Sequence, residues 1–304
     1  MLDILIKAIG FIFIIIIGYI FKSKGIFQKE HARFLSFIIM NITLPCSLFS
    51  SVGHIDISSS LLMALVIGFG ANILTILVGF IMAKNGTLTE KAIYMINMSG
   101  YNIGTFALPF VQSFFPSNLL AYVIMFDTGN AIMCLGGTYS VASSMVVKSK
   151  GIKIVIEFIK RLLSSVPFCT YVILFIMSLL NLTLPSQLIS VTSIAGNANA
   201  FLAMLMIGIS LEIKLDLSQV IKIRNILIGR YGLMILISVL VFIFLPVETA
   251  AKQMIVLSLF APISSVAPVY SYMIDSKTPV PAAVSSLSMI ISIITLTVLI
   301  IIFS

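Results

Sequence analysis

Charge is what this chain lacks most. Only 9% of its 304 residues are Asp, Glu, Lys or Arg, where a soluble domain carries about 25%. Too few charges remain to solvate a globular surface, and 60% of the residues are hydrophobic, with a mean hydropathy of +1.20. The composition is that of a polytopic, all-α membrane protein embedded in a lipid bilayer. The other scarcities exclude function classes. There is no Walker A signature, hence no ATPase engine. No HExxH, no nucleophile with a base and no aspartyl pair is present, which argues against an intramembrane enzyme. The two histidines, His31 and His54, sit at loop edges without a partner set. The three cysteines, Cys46, Cys134 and Cys169, fall in apolar segments and read as small buried hydrophobes, neither a disulfide set nor a metal site. The net charge of +8 does not point to nucleic acid, because the basic residues cluster at helix ends, where headgroups and topology account for them. Met1 to Phe21 lacks a basic leader and a small-residue cleavage site before Lys22, so it reads as a span and not a cleaved signal.

What is abundant is apolar runs long enough to span a bilayer, about 20 residues each. Ten segments emerge, at roughly 3–21, 31–51, 59–83, 91–115, 118–147, 163–181, 187–211, 223–245, 250–273 and 280–303. The longest connection, Lys148 to Leu162, places Ile152, Val155, Ile156 and Ile159 on one face and reads as a short surface helix. The turns after segments one, three, five, seven and nine take Lys22, Lys24, Lys29, Arg33, Lys84, Lys91, Lys148, Lys150, Lys153, Lys160, Arg161, Lys214, Lys222, Arg224, Arg230 and Lys277, leaving Lys7 and Lys252 on the other side. The positive-inside rule then makes these turns cytoplasmic and puts both termini outside. Glu212, Lys214 and Asp216 read as a solvated interfacial cluster.

Two segments are interrupted. Ser99-Gly-Tyr-Asn-Ile-Gly-Thr-Phe-Ala-Leu-Pro109 breaks segment four at Asn102 to Pro109, and Ala261-Pro-Ile-Ser-Ser-Val-Ala-Pro268 breaks segment nine. An interior glycine disfavours a helix by about 1 kcal/mol and an interior proline by about 3. A lipid-facing break would leave backbone groups unsatisfied, so such breaks belong at a protein-enclosed or wet cavity. If the halves, residues 1–147 and 148–304, are duplicates, five segments in each make them inverted repeats. Broken segments in corresponding positions of two halves point to a transporter's binding site.

The polar residues collect at one depth. At about 1.5 Å per residue, Asn41, Pro45, Asn102, Asp127, Asn130, Asn197, Asn199 and Pro262 lie about 14–21 Å in, near the midplane of a core about 30 Å thick. A carboxylate there is a functional hypothesis by default. Asp127, with Asn130 on the same helical face, is a ligand for a coupling cation, a carboxyl that carries a proton, or a structural acceptor for amides freed at a break. Asn41, Pro45, Asn197 and Asn199 are open between site lining and interhelical glue, and Asn102 favours lining. Ser264 and Ser265 offer hydroxyls to a ligand or to local backbone. A half-helix N-terminus beginning near Pro109, and its counterpart after Pro268, would converge on an anion such as a carboxylate. The carbonyl ends of the other two half-helices, with Asp127, would hold a cation. Polarity confined to one depth disfavours a channel, which wants a continuous polar stripe or charged rings. A channel and a non-transporting membrane sensor stay as alternatives.

Asn41-Ile-Thr-Leu-Pro45, Asn102-Ile-Gly-Thr-Phe-Ala-Leu-Pro109 and Asp127-Thr-Gly-Asn-Ala131 together resemble the bacterial branch of the auxin efflux carrier family over essentially the whole chain. The second half matches mainly through Ala261-Pro262, with either Pro262 or Pro268 as the counterpart of the family's crossover proline. The long central loop of plant members is missing. The resemblance implies a ten-helix, five-plus-five inverted-repeat fold similar to bile acid–sodium symporters. Helices one, two, six and seven would form a scaffold, often dimeric; helices three to five and eight to ten would form a mobile transport domain working as an elevator. The implied activity is secondary transport of a small organic anion in the bacterial plasma membrane, without a cofactor. Substrates in the family are carboxylates, indole-3-acetate in plants and malate or malonate in some bacteria. Asn102, Gly104, Pro109, Pro262, Ser264, Ser265 and Pro268 would build the site. Coupling to Na+ or H+ is open, since no sodium-ligand set transfers by motif.

Overall fold

Backbone hydrogen bonding within apolar runs dictates helices here, and helices are what form. The computed structural model describes residues 2–51, 59–146, 156, 159–160, 163–211 and 219–303. Most of the expected surface helix at 148–162, His54, and the Glu212, Lys214 and Asp216 cluster lie outside those residues. The helices in chain order are α1 (Leu2–Ser23), α2 (Lys29–Ile38), α3 (Leu44–Ser51), α4 (Ser59–Met82), α5 (Leu88–Met98), α6 (Leu108–Val111), α7 (Ser117–Ile132), α8 (Thr138–Ser144), α9 (Val166–Leu179), α10 (Ser186–Gly196), α11 (Asn199–Ser210), α12 (Val220–Phe244), α13 (Thr249–Leu259), α14 (Ala267–Ile274) and α15 (Val280–Phe303). Among the described residues, seven continuous stretches are long and apolar enough to cross a membrane, and α9 is a shorter apolar helix. The two interrupted units, α5 with α6 and α13 with α14, fall on the fourth and ninth hydropathy segments.

Local signals start the helices where expected. Thr87 Oγ1 accepts from the Glu90 amide while Glu90 Oε2 accepts from the Thr87 amide, a reciprocal capping box that opens α5. His31 closes the equivalent box for α2 by accepting from the Gln28 amide at 2.9 Å.

Two of the Leu-Pro pairs follow a π-helical turn: Ile39–Thr43 before Leu44-Pro45, and Ile103–Ala107 before Leu108-Pro109. The wider turn sends the Leu44 amide to Ile39 O and the Leu108 amide to Ile103 O. Proline has no N–H and its ring crowds the preceding turn, so a bulge of this kind lets the helix continue through it. Segment four therefore breaks at Ser99 to Asn102, not at Pro109. Its second half-helix begins at Ile103, and Pro109 is buried inside it.

Close helix packing depends on small residues. A Cβ on Gly68 would overlap Phe126 O, one on Gly129 would overlap Leu65 O, and one on Gly208 would overlap Ile15 O. Backbones can approach this closely only without side chains between them, which is the usual means of helix association in lipid. The outer faces stay apolar, with Ile9, Phe13, Ile194, Ile228, Ile235 and Ile243 exposed, as a lipid-facing surface requires. Replacement of Gly129 by Ala should destabilise the detergent-purified protein by about 1–3 kcal/mol through overpacking. Gly70, whose Cβ would meet nothing within 4 Å, serves as the control, with Gly70→Ala neutral to stabilising by about 1 kcal/mol in thermal unfolding.

Candidate functional site

The two breaks meet and cross. Tyr101 and Ile263 form an antiparallel β-bridge, with the Asn102 amide donating to Pro262 O at 2.9 Å and the Ser264 amide to Gly100 O at 3.3 Å. Gly100 makes the turn possible with φ of +78°, a region that side chains other than glycine's enter at a steric disadvantage. Main-chain pairing of this kind is what the hydrocarbon interior demands, since water is not there to satisfy a broken helix.

Side chains complete the accounting. Asn72, buried in α4, accepts at Oδ1 from the Gly100 amide at 2.7 Å and from Ser99 Oγ at 2.9 Å. Asn130 accepts at Oδ1 from the Tyr101 amide at 3.0 Å, and its Nδ2 donates to Tyr101 O at 2.8 Å. One carboxamide thus treats Tyr101 as a neighbouring strand would. Ser288 Oγ, from α15, accepts from the Ile263 amide at 3.2 Å.

The carbonyl ends are taken by a residue that the sequence reading had placed in a cytoplasmic turn. Arg230 is not in a turn. It lies within α12, fully buried, and donates through Nη1 to Met98 O at 2.5 Å and through Nη2 to Gly100 O at 2.9 Å and Ala261 O at 3.2 Å. Its guanidinium also lies 4.6 Å from the centre of the Tyr101 ring, within cation–π range. The cation expected at the carbonyl ends of the half-helices is therefore a side chain, and Asp127 is not part of that ligand set. The signal was available: Arg230 sits inside a 25-residue apolar helix, where a charge calls for a role of its own.

Asp127 faces the other side of the crossing. Tyr171 Oη donates to its Oδ2 at 2.7 Å and Asn130 Nδ2 to its Oδ1 at 2.9 Å. It lines a cavity of about 80 Å³ together with Asn102, Gly104, Asn130, Tyr171 and Ser264. A second cavity of about 430 Å³ is lined by Arg33, Asn102, Thr105, Ser265, Pro268 and Tyr272, among others. Asn102 and Ser265 line both. Asn102 Oδ1 is engaged by Thr105 Oγ1, while its buried Nδ2 has no acceptor among the described residues. Cys134, expected as a plain hydrophobe, donates its thiol to Ser264 Oγ at 2.7 Å.

Other expected lining residues stand elsewhere. Asn41 is exposed and bonds its own helix through Phe37 O, and Asn197 is exposed at the kink between α10 and α11. Each sits on an outward helical face, which spacing along one helix does not reveal. Asn199 is buried and accepts from Thr43 Oγ1 at 2.9 Å, so it ties α11 to the second segment. Pro45 and Pro109 are buried in helices, and Pro262 supplies a bridge carbonyl; none of the three is among the cavity-lining residues described above. Tyr171, Asn72, Ser288 and Arg230 are the functional-site residues that sequence reasoning missed.

The sequence also matches known proteins. The family profile described as membrane transport protein matches residues 3–300. The chain belongs to the auxin efflux carrier family. An uncharacterised transporter of Methanothermobacter thermautotrophicus is 26% identical over 124 residues, which is 40% of this chain and 41% of that relative. The alignment thus spans less than half of the relative's length. The matching profile is one of membrane transport proteins, and the bridged breaks are the feature to test first. Asn130→Leu should cost about 1–3 kcal/mol for each Tyr101 backbone group left unsatisfied. In the same thermal unfolding series Asn197→Ala, on an exposed face, should shift stability by less than about 0.5 kcal/mol.

Proposed function

We propose that this auxin efflux carrier family member is a secondary carrier of a small organic anion, a carboxylate, in the bacterial plasma membrane. In this reading ten spans form a five-plus-five inverted repeat with both termini outside, and the continuous helices together with α9 and the two broken units supply the spans. Segments one, two, six and seven act as a scaffold through which the protein dimerises. Segments three to five and eight to ten carry the site across the membrane by an elevator motion.

One observation carries the ligand assignment. Both half-helix starts, at Ile103 and Ala267, open beside cavities lined by Asn102, Thr105, Ser264 and Ser265. Helix N-termini present free N–H groups and a positive dipole end, and such ends are ready sites for carboxylates. The unpartnered Asn102 Nδ2 adds a neutral donor, and Arg33 at the larger cavity adds a positive charge. A volume of about 430 Å³ suits a small metabolite, since ligand pockets run about 300–1,000 Å³. Asp127, in the smaller cavity, is the group through which a Na+ or H+ gradient acts.

Counterflow in proteoliposomes against a panel of mono- and dicarboxylates, with Na+ and pH gradients varied, tests the reading directly. Asn102→Ala should lower flux about 10- to 100-fold, the loss of one hydrogen bond to a charged ligand, while the protein still inserts and unfolds at the wild-type temperature. Wild-type flux from that variant would remove the crossover from the binding site. For Asp127→Asn the expected outcome is a flux that no longer responds to the driving gradient; an unchanged response would take Asp127 out of coupling.

A further inference from the structure

Arg230 is a buried charge met by main-chain carbonyls at both Nη atoms, with Nε alone left without a partner among the described residues. It is fully buried, lines neither cavity, and takes three main-chain carbonyls as partners instead of a carboxylate. Those carbonyls have a common origin. Met98 is the last residue of α5, Gly100 follows it in the first break, and Ala261 follows α13 in the second. The C-terminal ends of both half-helices therefore point at one guanidinium. A helix C-terminus carries unsatisfied carbonyls and about half a negative charge. Two such ends brought together in a low-dielectric interior repel each other unless a cation lies between them. Convergent carbonyl oxygens are also the donor set of a hard metal cation.

We infer that Arg230 is the resident counter-cation of the crossover, holding the carbonyl ends of both half-helices in place of a bound metal cation. The geometry gives the guanidinium an advantage over a point charge. Its planar fork reaches carbonyls on two different breaks at once, Gly100 O and Ala261 O from the same Nη2, which an ammonium group would satisfy less fully. The Tyr101 ring closes one face of the guanidinium. Arg230 is thus a positioning residue: it touches no ligand, and it sets the register of the bridge on which Asn102 and Ser264 sit. The inference stands apart from the carrier reading, because it concerns what holds the crossing together and not what the cavity binds.

The test uses the full chain purified in detergent and reads thermal unfolding, so a negative counterflow result leaves it untouched. With Asp127→Asn in place, which removes the carboxylate proposed for coupling, the protein should unfold at the same temperature in choline, sodium and potassium chloride at matched ionic strength. Arg230→Lys and Arg230→Gln should both unfold earlier, with Lys above Gln because the charge is retained. Arg230→Ala should be lowest, and low millimolar guanidinium, but not tetramethylammonium, should raise its midpoint saturably. Where the wild type shows counterflow, it should fall about tenfold or more from wild type to Gln, with Lys intermediate. A saturable sodium or potassium stabilisation in that Asp127→Asn background would overturn the inference, since the cation position would then not be filled. Equal midpoints for Lys and Gln would do so as well, and so would an Ala variant indifferent to guanidinium.

Discussion

The crossing of two broken helices in a medium without water is the constraint on which the rest of this structure depends. Every backbone donor and acceptor freed at Ser99 to Asn102 and at Phe260 to Val266 must find a partner inside the protein. The solution is distributed. The breaks pair with each other through the Tyr101–Ile263 bridge, Asn72 and Asn130 take the amides of the first break, Ser288 takes one of the second, and Arg230 gathers the carbonyls of both. These residues come from helices far apart in the chain, so the fold as a whole is committed to making this one junction.

That division of labour separates support from ligand contact. Asn72, Asn130, Ser288 and Arg230 are occupied by main-chain groups. Asn102 keeps a free donor, and Ser265 is exposed to the cavities. Of the buried side-chain atoms left without a partner, Asn102 Nδ2 belongs to a residue that lines both cavities. Asp127 is intermediate: Tyr171 and Asn130 bind one oxygen each, yet the carboxylate still borders the smaller cavity.

Helix positions were legible because hydropathy and length act locally, and the ranges read from apolar runs match the helices closely. The breaks were legible for the same reason, as Gly100, Pro262 and Pro268 act on their own backbone. What failed to show was direction. Asn41 and Asn197 share a depth with the site but point outward, and neighbours across the fold decide that. Pro109 looked like the break because prolines end helices; the π-turn ahead of it, which absorbs the missing donor, has no clear composition of its own. Arg230 was counted with the loop cations although its surroundings were apolar, and the partners that explain it, three carbonyls, leave no trace in side-chain identity.

The β-bridge has an implication for how such a chain can change. The register of the two breaks is written in main-chain atoms, Asn102 N to Pro262 O and Ser264 N to Gly100 O, and any residue but proline at the two donor positions supplies them. Substitutions at Asn102, Ser264 or Ser265 can therefore alter the chemistry offered to a ligand while the scaffold that presents it stays put. The junction and the side chains displayed on it can therefore change independently of each other.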